Sequence, residues 1–64
     1  MKYSLNFILE RETKGAIRYA EVGDDGNILT EPSDFVVGSL YVRKHAIGGK
    51  VPKVVVVTLE SEES

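Results

Sequence analysis

Alternation of apolar and polar side chains near the start of the chain is the feature that most constrains the fold. Every second residue from position 3 to position 9 is large and apolar, namely Tyr3, Leu5, Phe7 and Leu9. A period of two places such residues on one face of a β-strand, whereas a helix needs a period near 3.6. We therefore expect a first strand at residues 2–10, with Tyr3 in the core.

Polar residues and a glycine predict where the first two strands are joined. Residues 11–15 are polar and end in Gly15, which is typical of a hairpin connection. A second strand is predicted at Ala16–Val22. Its buried face is either the one that carries Ile17 and Tyr19 or the one that carries the alternate residues, and the pattern favours neither.

The middle of the chain is predicted to contain a turn, a short strand, a break and a longer strand. Asp-Gly and Gly-Asn pairs within residues 23–27 supply the positive-φ positions of a tight turn. Residues 28–30 are predicted as a short strand that ends near Pro32, because proline lacks a backbone N–H donor. The next strand is predicted at residues 35–44, with a bulge or bend at Gly38.

The last third of the chain combines a loop with a valine-rich strand. Residues 45–53 contain two adjacent glycines and a proline, so we predict a loop with one helical turn that places Ile47 on the core. Residues 54–59 form the last predicted strand, and their four consecutive valines are typical of a strand covered on both faces. Because an exposed run of this kind promotes aggregation, we expect it in the centre of the sheet or at a dimer seam.

Length and composition limit the architecture to one small domain. The chain has 64 residues and no cysteine, which excludes a disulfide scaffold, a cysteine-based zinc site and thiol catalysis. We predict an all-β fold of four to five antiparallel strands, in a small curved sheet or open barrel with mainly hairpin connections. The domain is expected at residues 1–59, followed by an acidic tail at residues 60–64. Apolar residues on both faces of two strands predict a homodimer that pairs face to face.

One stretch of this acidic chain is purely basic. The formal net charge is -2, yet residues 35–59 carry four cations and no acid. The candidate binding residues in this stretch are Tyr41, Arg43, Lys44, His45, Lys50 and Lys53. Three interpretations remain open: a nucleic-acid surface, a surface for an acidic protein or for the tail of a second copy, and a solvated face that discourages edge pairing.

We expect a non-enzymatic protein-interaction module, such as an accessory or inhibitory subunit, that uses this basic strand and loop. The alternative is a nucleic-acid-binding module that contacts phosphates through Arg43, Lys44, Lys50 and Lys53. An isoelectric point near 5.2 argues against the alternative, because nucleic-acid-binding domains are usually basic. Exposed tyrosine beside arginine is the composition of a protein-interface hot spot, but it is equally ordinary as cross-strand packing on a half-buried sheet face.

Other functions lack support in the sequence. His45 is the single histidine, and its neighbours Arg43 and Lys44 cannot orient it as a general base. The acidic cluster in residues 23–27 is too short for a calcium loop, so no metal, cofactor or small-molecule substrate is expected. The longest purely apolar run is the four valines, which is far below the roughly 18 residues that span a membrane. With no signal peptide apparent, we expect a cytoplasmic protein.

Overall fold

Four segments with strand-like patterns pair into one antiparallel sheet. The computed structural model describes residues 1–62. Its elements are β1 (Lys2–Glu12), β2 (Ala16–Val22), a 3-10 turn (Pro32–Asp34), β3 (Ser39–Arg43), α1 (Lys44–Ile47) and β4 (Val54–Glu60). The strand order is β3-β2-β1-β4, and the sheet curls into a half-barrel. The predicted all-β class with four antiparallel strands is confirmed.

β1 runs two residues further than its alternation predicts, because a bulge restores the pairing after the pattern breaks. Leu9 pairs with Tyr19, whereas the next pair is Arg11 with Arg18, so Glu10 is the extra residue. The hairpin that follows is closed by Thr13. Its N–H and its hydroxyl both donate to the carbonyl oxygen of the first residue of β2, at 2.8 and 2.9 Å.

β2 is buried on both of its faces, whereas the sequence predicted one buried face without deciding which. Ile17, Tyr19 and Glu21 point to the concave face, and Ala16 and Ala20 are buried on the convex face. β2 lies between β1 and β3, so its small alanines are hidden by the longer side chains of neighbouring strands. The strand that is covered on both faces is therefore β2 and not the valine-rich strand.

The hydrophobic core lies on the concave face. Its fully buried members are Phe7, Ile17 and Tyr19. Partly buried residues pack around them, namely Leu5, Leu9, Leu40, Val42, Ile47, Val51, Val55 and Val57. Tyr3 was predicted in the core but is 44% exposed. It pairs with Leu59 near the start of β1, and pairing between β1 and β2 begins only at Asn6, so no third strand covers its ring.

A crossover segment, residues 44–53, covers the concave face. It is needed because β3 and β4 lie at opposite edges of the sheet and cannot be joined by a hairpin. Ile47 and Val51 pack on the core, and the hydroxyl of Tyr19 donates to the carbonyl oxygen of Pro52 at 2.8 Å. The predicted helical turn with Ile47 on the core is confirmed, as α1.

Two strands predicted in the middle of the chain do not form as predicted. Residues 28–30 do not form a strand, since Ile28 makes a single isolated bridge with Val22. The strand predicted at residues 35–44 is only β3, because the backbone N–H groups before Ser39 bind a side chain and not a neighbouring strand. The backbone bends at residues 36 and 37, and Gly38, where a bulge or bend within the strand was predicted, precedes β3 with a φ of 95°.

The valine-rich β4 is an edge strand, so its predicted place in the centre of the sheet is wrong, and its alternative place at a dimer seam stays a prediction. It pairs with β1, and Val55 and Val57 pack on the core while Val54 and Val56 face outward. β4 also continues past the predicted end to Glu60. Of the predicted tail, residues 63 and 64 lie outside the described part of the chain.

Candidate interaction surface

The outward-facing residues of β3 form a polar and aromatic strip at one edge of the sheet. Leu40 and Val42 alternate inward, which leaves Tyr41 and Arg43 on the convex face. Tyr41 is 59% exposed, although it is a large aromatic side chain. Two of the six predicted binding residues therefore lie side by side on one exposed strand.

Arg18 of β2 supports this strip, although it was not among the predicted binding residues. It stands opposite Tyr41 in the β2–β3 register, and its guanidinium carbon lies 5.8 Å from the centre of the tyrosine ring. The Nη2 atom of Arg18 donates a hydrogen bond to the Ser39 hydroxyl at 3.3 Å. We name the set Arg18, Ser39, Tyr41 and Arg43 the outer β3 surface.

Glu10 holds Arg18 in this position from the opposite side. Its Oε1 lies 2.8 Å from Arg18 Nε, a nitrogen that is hidden from solvent. The contact is an ion pair and not an aligned hydrogen bond, and both side chains remain about a third exposed. A partly exposed pair of this kind contributes about 0–1 kcal/mol. Its main effect is to restrict the guanidinium that stacks on Tyr41.

The other predicted binding residues lie along the crossover segment. Lys44 begins α1, and its Nζ lies 3.5 Å from Glu12 Oε1. His45, Lys50 and Lys53 are exposed. Lys53 directly precedes β4, whereas Tyr41 lies on β3, so the two ends of the basic stretch are at opposite edges of the sheet. Three strand spacings of about 4.8 Å separate those edges.

A buried glutamate fixes the entry to β3. Glu21 lies on the concave face of β2, and its carboxylate accepts three backbone N–H groups: Val36 at 3.1 Å, Val37 at 2.9 Å and Gly38 at 2.8 Å. Burial opposes the ionisation of Glu21, but these donors outweigh it and hold the pKa of the carboxyl below its ordinary value. We call this arrangement the Glu21 latch.

The latch could have been suspected from the sequence by its phase. Glu21 has the same parity as Ile17 and Tyr19, so if those two residues face the core, the carboxylate must also enter it. A buried carboxylate needs several donors. What the sequence does not indicate is that consecutive N–H groups of a distant loop supply them.

The turn at residues 23–27 uses one of its two acidic residues, Asp25, for its own structure. Asp25 accepts the backbone N–H of Asn27 at 3.0 Å and its side-chain amide at 3.2 Å. These bonds lower the pKa of the exposed Asp25 carboxyl, the backbone bond being the larger cause. Across residues 1–62, no group of three histidine, cysteine or acidic side chains is arranged to hold a metal ion.

An open cleft of about 330 Å³ lies beside this turn. Its walls include Glu21, Asp24 and Asp34 together with polar residues of β1. The Glu21 carboxylate is already occupied by the backbone donors of the latch. The single imidazole, His45, belongs to α1 and does not line this cleft.

Comparisons of this chain with protein-family models, with curated proteins and with solved structures found no match. No helix within the described residues is long and apolar enough to cross a membrane.

Proposed function

We propose that this protein is a non-enzymatic interaction module that binds an acidic protein segment through the outer β3 surface. The observation that carries the proposal is the stacked pair of Arg18 and Tyr41 on an exposed edge strand. Tyrosine and arginine are the residues most often found as energetic anchors of protein interfaces. Arg43, directly beyond the pair on the same face, adds a second guanidinium for carboxylate groups.

The arrangement of this surface reduces the entropic cost of binding. Ordering a long side chain at an interface costs about 0.5–1.5 kcal/mol. Arg18 is already restricted by Glu10, by Ser39 and by the Tyr41 ring. The anchor is therefore largely preorganised.

The backbone of β3 offers a second mode of contact. Among residues 1–62, β3 pairs with β2 alone, so its other edge is open to an added strand. A peptide that adds to a sheet edge gains main-chain hydrogen bonds, while side chains supply specificity. An extended acidic segment suits both the edge and the cations beside it.

A displayed library of random peptides tests this proposal. We expect the wild-type protein to enrich acidic peptides with an affinity that falls about tenfold or more in Tyr41→Ala. Tyr3→Ala is the matched control, because it removes another exposed tyrosine that lies on the concave side of β1. Enrichment that is unaffected by Tyr41→Ala but lost in Tyr3→Ala contradicts the proposal.

A nucleic-acid-binding module is the second candidate function. The observation in its favour is that Arg43, Lys50 and Lys53 form no ion pair with any residue in the described part of the chain, so they are available for phosphates. Against it, one of its four predicted phosphate contacts, Lys44, is paired with Glu12, and an isoelectric point near 5.2 is low for a nucleic-acid-binding domain.

Fluorescence anisotropy with labelled single-stranded and duplex oligonucleotides separates the two functions. Phosphate-driven binding weakens steeply between about 50 and 200 mM salt, by an order of magnitude or more. If such binding appears and is lost in a Lys50→Glu/Lys53→Glu double variant, the second candidate replaces the first. If the oligonucleotides do not bind at the lower salt concentration, the nucleic-acid function is excluded.

A further inference from the structure

The folded chain exposes more solvent-accessible surface than a typical compact monomer of the same mass. Its accessible area is 4943 Å², whereas a compact monomer of 7.1 kDa exposes about 4,100 Å². The radius of gyration is 12.6 Å, against about 11 Å for a compact chain of this length. The thinnest dimension is 16 Å, so the molecule is a slab. The excess area is close to the roughly 800 Å² that each partner buries in a standard protein interface.

The β4 edge is the part of this surface that is least protected. Val54 is 56% exposed and Val56 is 66% exposed, and Ile8 of β1 stands beside Val54 on the same convex face. Edge strands are usually shielded by charge, proline, a bulge or short length. β4 has seven residues and carries none of these devices between Val54 and Leu59.

The charges at the ends of β4 match a second copy of the same strand. Lys53 precedes the strand, and Glu60 and Glu62 lie at its other end. When two identical strands pair antiparallel, the basic end of each lies beside the acidic end of the other. Parallel pairing would instead bring like charges together. The strand is thus electrostatically self-complementary in one orientation.

We propose that two copies of this chain pair antiparallel through β4 to form a continuous eight-stranded sheet. The twofold axis of such a dimer is perpendicular to the sheet, so the convex faces of the two copies join. Centring the axis on Val56 places Val56 against its symmetry equivalent and Val54 against Thr58. Moving the centre to Val57 would place Val54 against Glu60, which is a poorer match. The dimer therefore combines the two exposed valine pairs into one apolar strip.

This dimer uses the opposite edge of the sheet from the outer β3 surface. The two proposals are therefore independent, and either one can fail without the other. A dimer through β4 would also leave both copies of the outer β3 surface available, one at each end of the extended sheet.

Sedimentation velocity over about 1 to 200 μM protein tests the assembly. We expect a species of twice 7.1 kDa that dissociates on dilution. Val56→Lys should shift the protein to monomer, because it places a charge at the centre of the seam. Tyr41→Lys is the matched control on the other edge strand, and it should leave the dimer intact. A wild-type monomer at the highest concentration overturns the proposal, as does a dimer that is lost only in Tyr41→Lys.

Single cysteine variants test the relative orientation of the two β4 strands. The chain has no cysteine of its own, so any disulfide must join the introduced thiols of two copies. We compare disulfide formation in Val54→Cys, Val56→Cys and Thr58→Cys under mild oxidation. Antiparallel pairing about Val56 brings only the thiols of the Val56→Cys variant within bonding distance of each other. Equal cross-linking of all three variants indicates parallel pairing, and cross-linking of none of them excludes antiparallel pairing about Val56. Either result overturns the proposal.

Discussion

β3 and β4 are both edge strands of one sheet, but they meet solvent with different chemistry. The outward residues of β3 are polar or amphipathic, and the strand is five residues long. β4 is seven residues long, and its outward residues begin with two exposed valines. One small sheet thus carries two kinds of edge, a short one with polar and aromatic side chains and a longer one with exposed valines.

The two edges also differ in how they are held. The entry to β3 depends on one buried carboxylate, whereas β4 is held by a full ladder to β1 and by valines on the core. Substitutions at the latch should therefore disturb the β3 edge more than β4, and substitutions in the shared core should disturb both edges.

Tyr19→Ala should have the largest effect, because Tyr19 supports both edges at once. Its ring is fully buried in the core, and its hydroxyl binds the segment that joins β3 to β4. Truncation of a buried aromatic side chain costs about 3–5 kcal/mol, which is comparable to the whole stability of a domain this small. Urea denaturation followed by circular dichroism should show an unfolded or barely folded chain. Tyr19→Phe is the control and should lose only about 1 kcal/mol.

Glu21→Gln should destabilise the protein by about 2 kcal/mol, because charge-assisted hydrogen bonds from the loop are replaced by weaker neutral ones. Hydrogen exchange is the sharper measurement. We expect the N–H groups of Val36, Val37 and Gly38 to gain more in exchange rate than those of β4, whose gain is limited to the loss of global stability. Equal acceleration at both edges would show that the latch supports the whole sheet and not only β3.

The stability of the wild type should fall in acid through the same latch. The pKa of Glu21 in the folded state lies below the ordinary value of 4.5, so its contribution is complete above that pH. It is lost as the pH falls below 4.5 through the folded-state pKa, since protonation removes the charge that the N–H groups bind. Denaturation midpoints measured from pH 6 downward should show this loss, and Glu21→Gln should reduce its size. An identical pH dependence in both proteins would contradict it.

Gly38→Ala should destabilise the protein by about 1–2 kcal/mol, because an L-residue adopts the left-handed region at a cost. The φ of Gly38 is 95°, and an added Cβ would lie 3.7 Å from the Phe35 ring, which is an ordinary contact. The cost is thus conformational and not steric. Thermal unfolding of Gly38→Ala beside Gly49→Ala, a glycine with open space around it, isolates the effect.

Glu10→Gln should have the smallest effect on stability, about 0.5 kcal/mol, because the ion pair with Arg18 is partly exposed. It should nevertheless change the mobility of Arg18 and the charge of the outer β3 surface. Without its partner charge, Arg18 is less restricted above Tyr41, and the surface gains positive charge. Chemical denaturation at low and high salt checks the first expectation, since salt should remove any difference between the two proteins.

Much of the secondary structure follows from local patterns in the chain. Alternation predicts β1, the acidic glycine-rich turn predicts the end of β2, and the helical turn that carries Ile47 is recognisable beside its glycines. The local patterns fail where a distant partner determines the conformation. Residues 36–38 look like strand, but their N–H groups serve Glu21. Four consecutive valines look like a central strand, but the order of pairing makes them an edge.

The outer β3 surface was likewise only partly recognisable from the sequence. Tyr41 and Arg43 are recognisable from the sequence because they alternate with apolar residues on one strand. Arg18 is not, because its contact with Tyr41 depends on the register between β2 and β3.

The sequence by itself determined the all-β class, the position of the turns and the concentration of cations after residue 35, since these depend on neighbouring residues. Strand order, the exposure of Val54 and Val56, the Glu21 latch and the support of Tyr41 by Arg18 were decided by the tertiary structure alone. The physical reason is that each of them is an interaction between side chains or N–H groups far apart in the chain. The alternation of apolar and polar residues shows which residues share a face, but only the pairing of strands decides what covers that face.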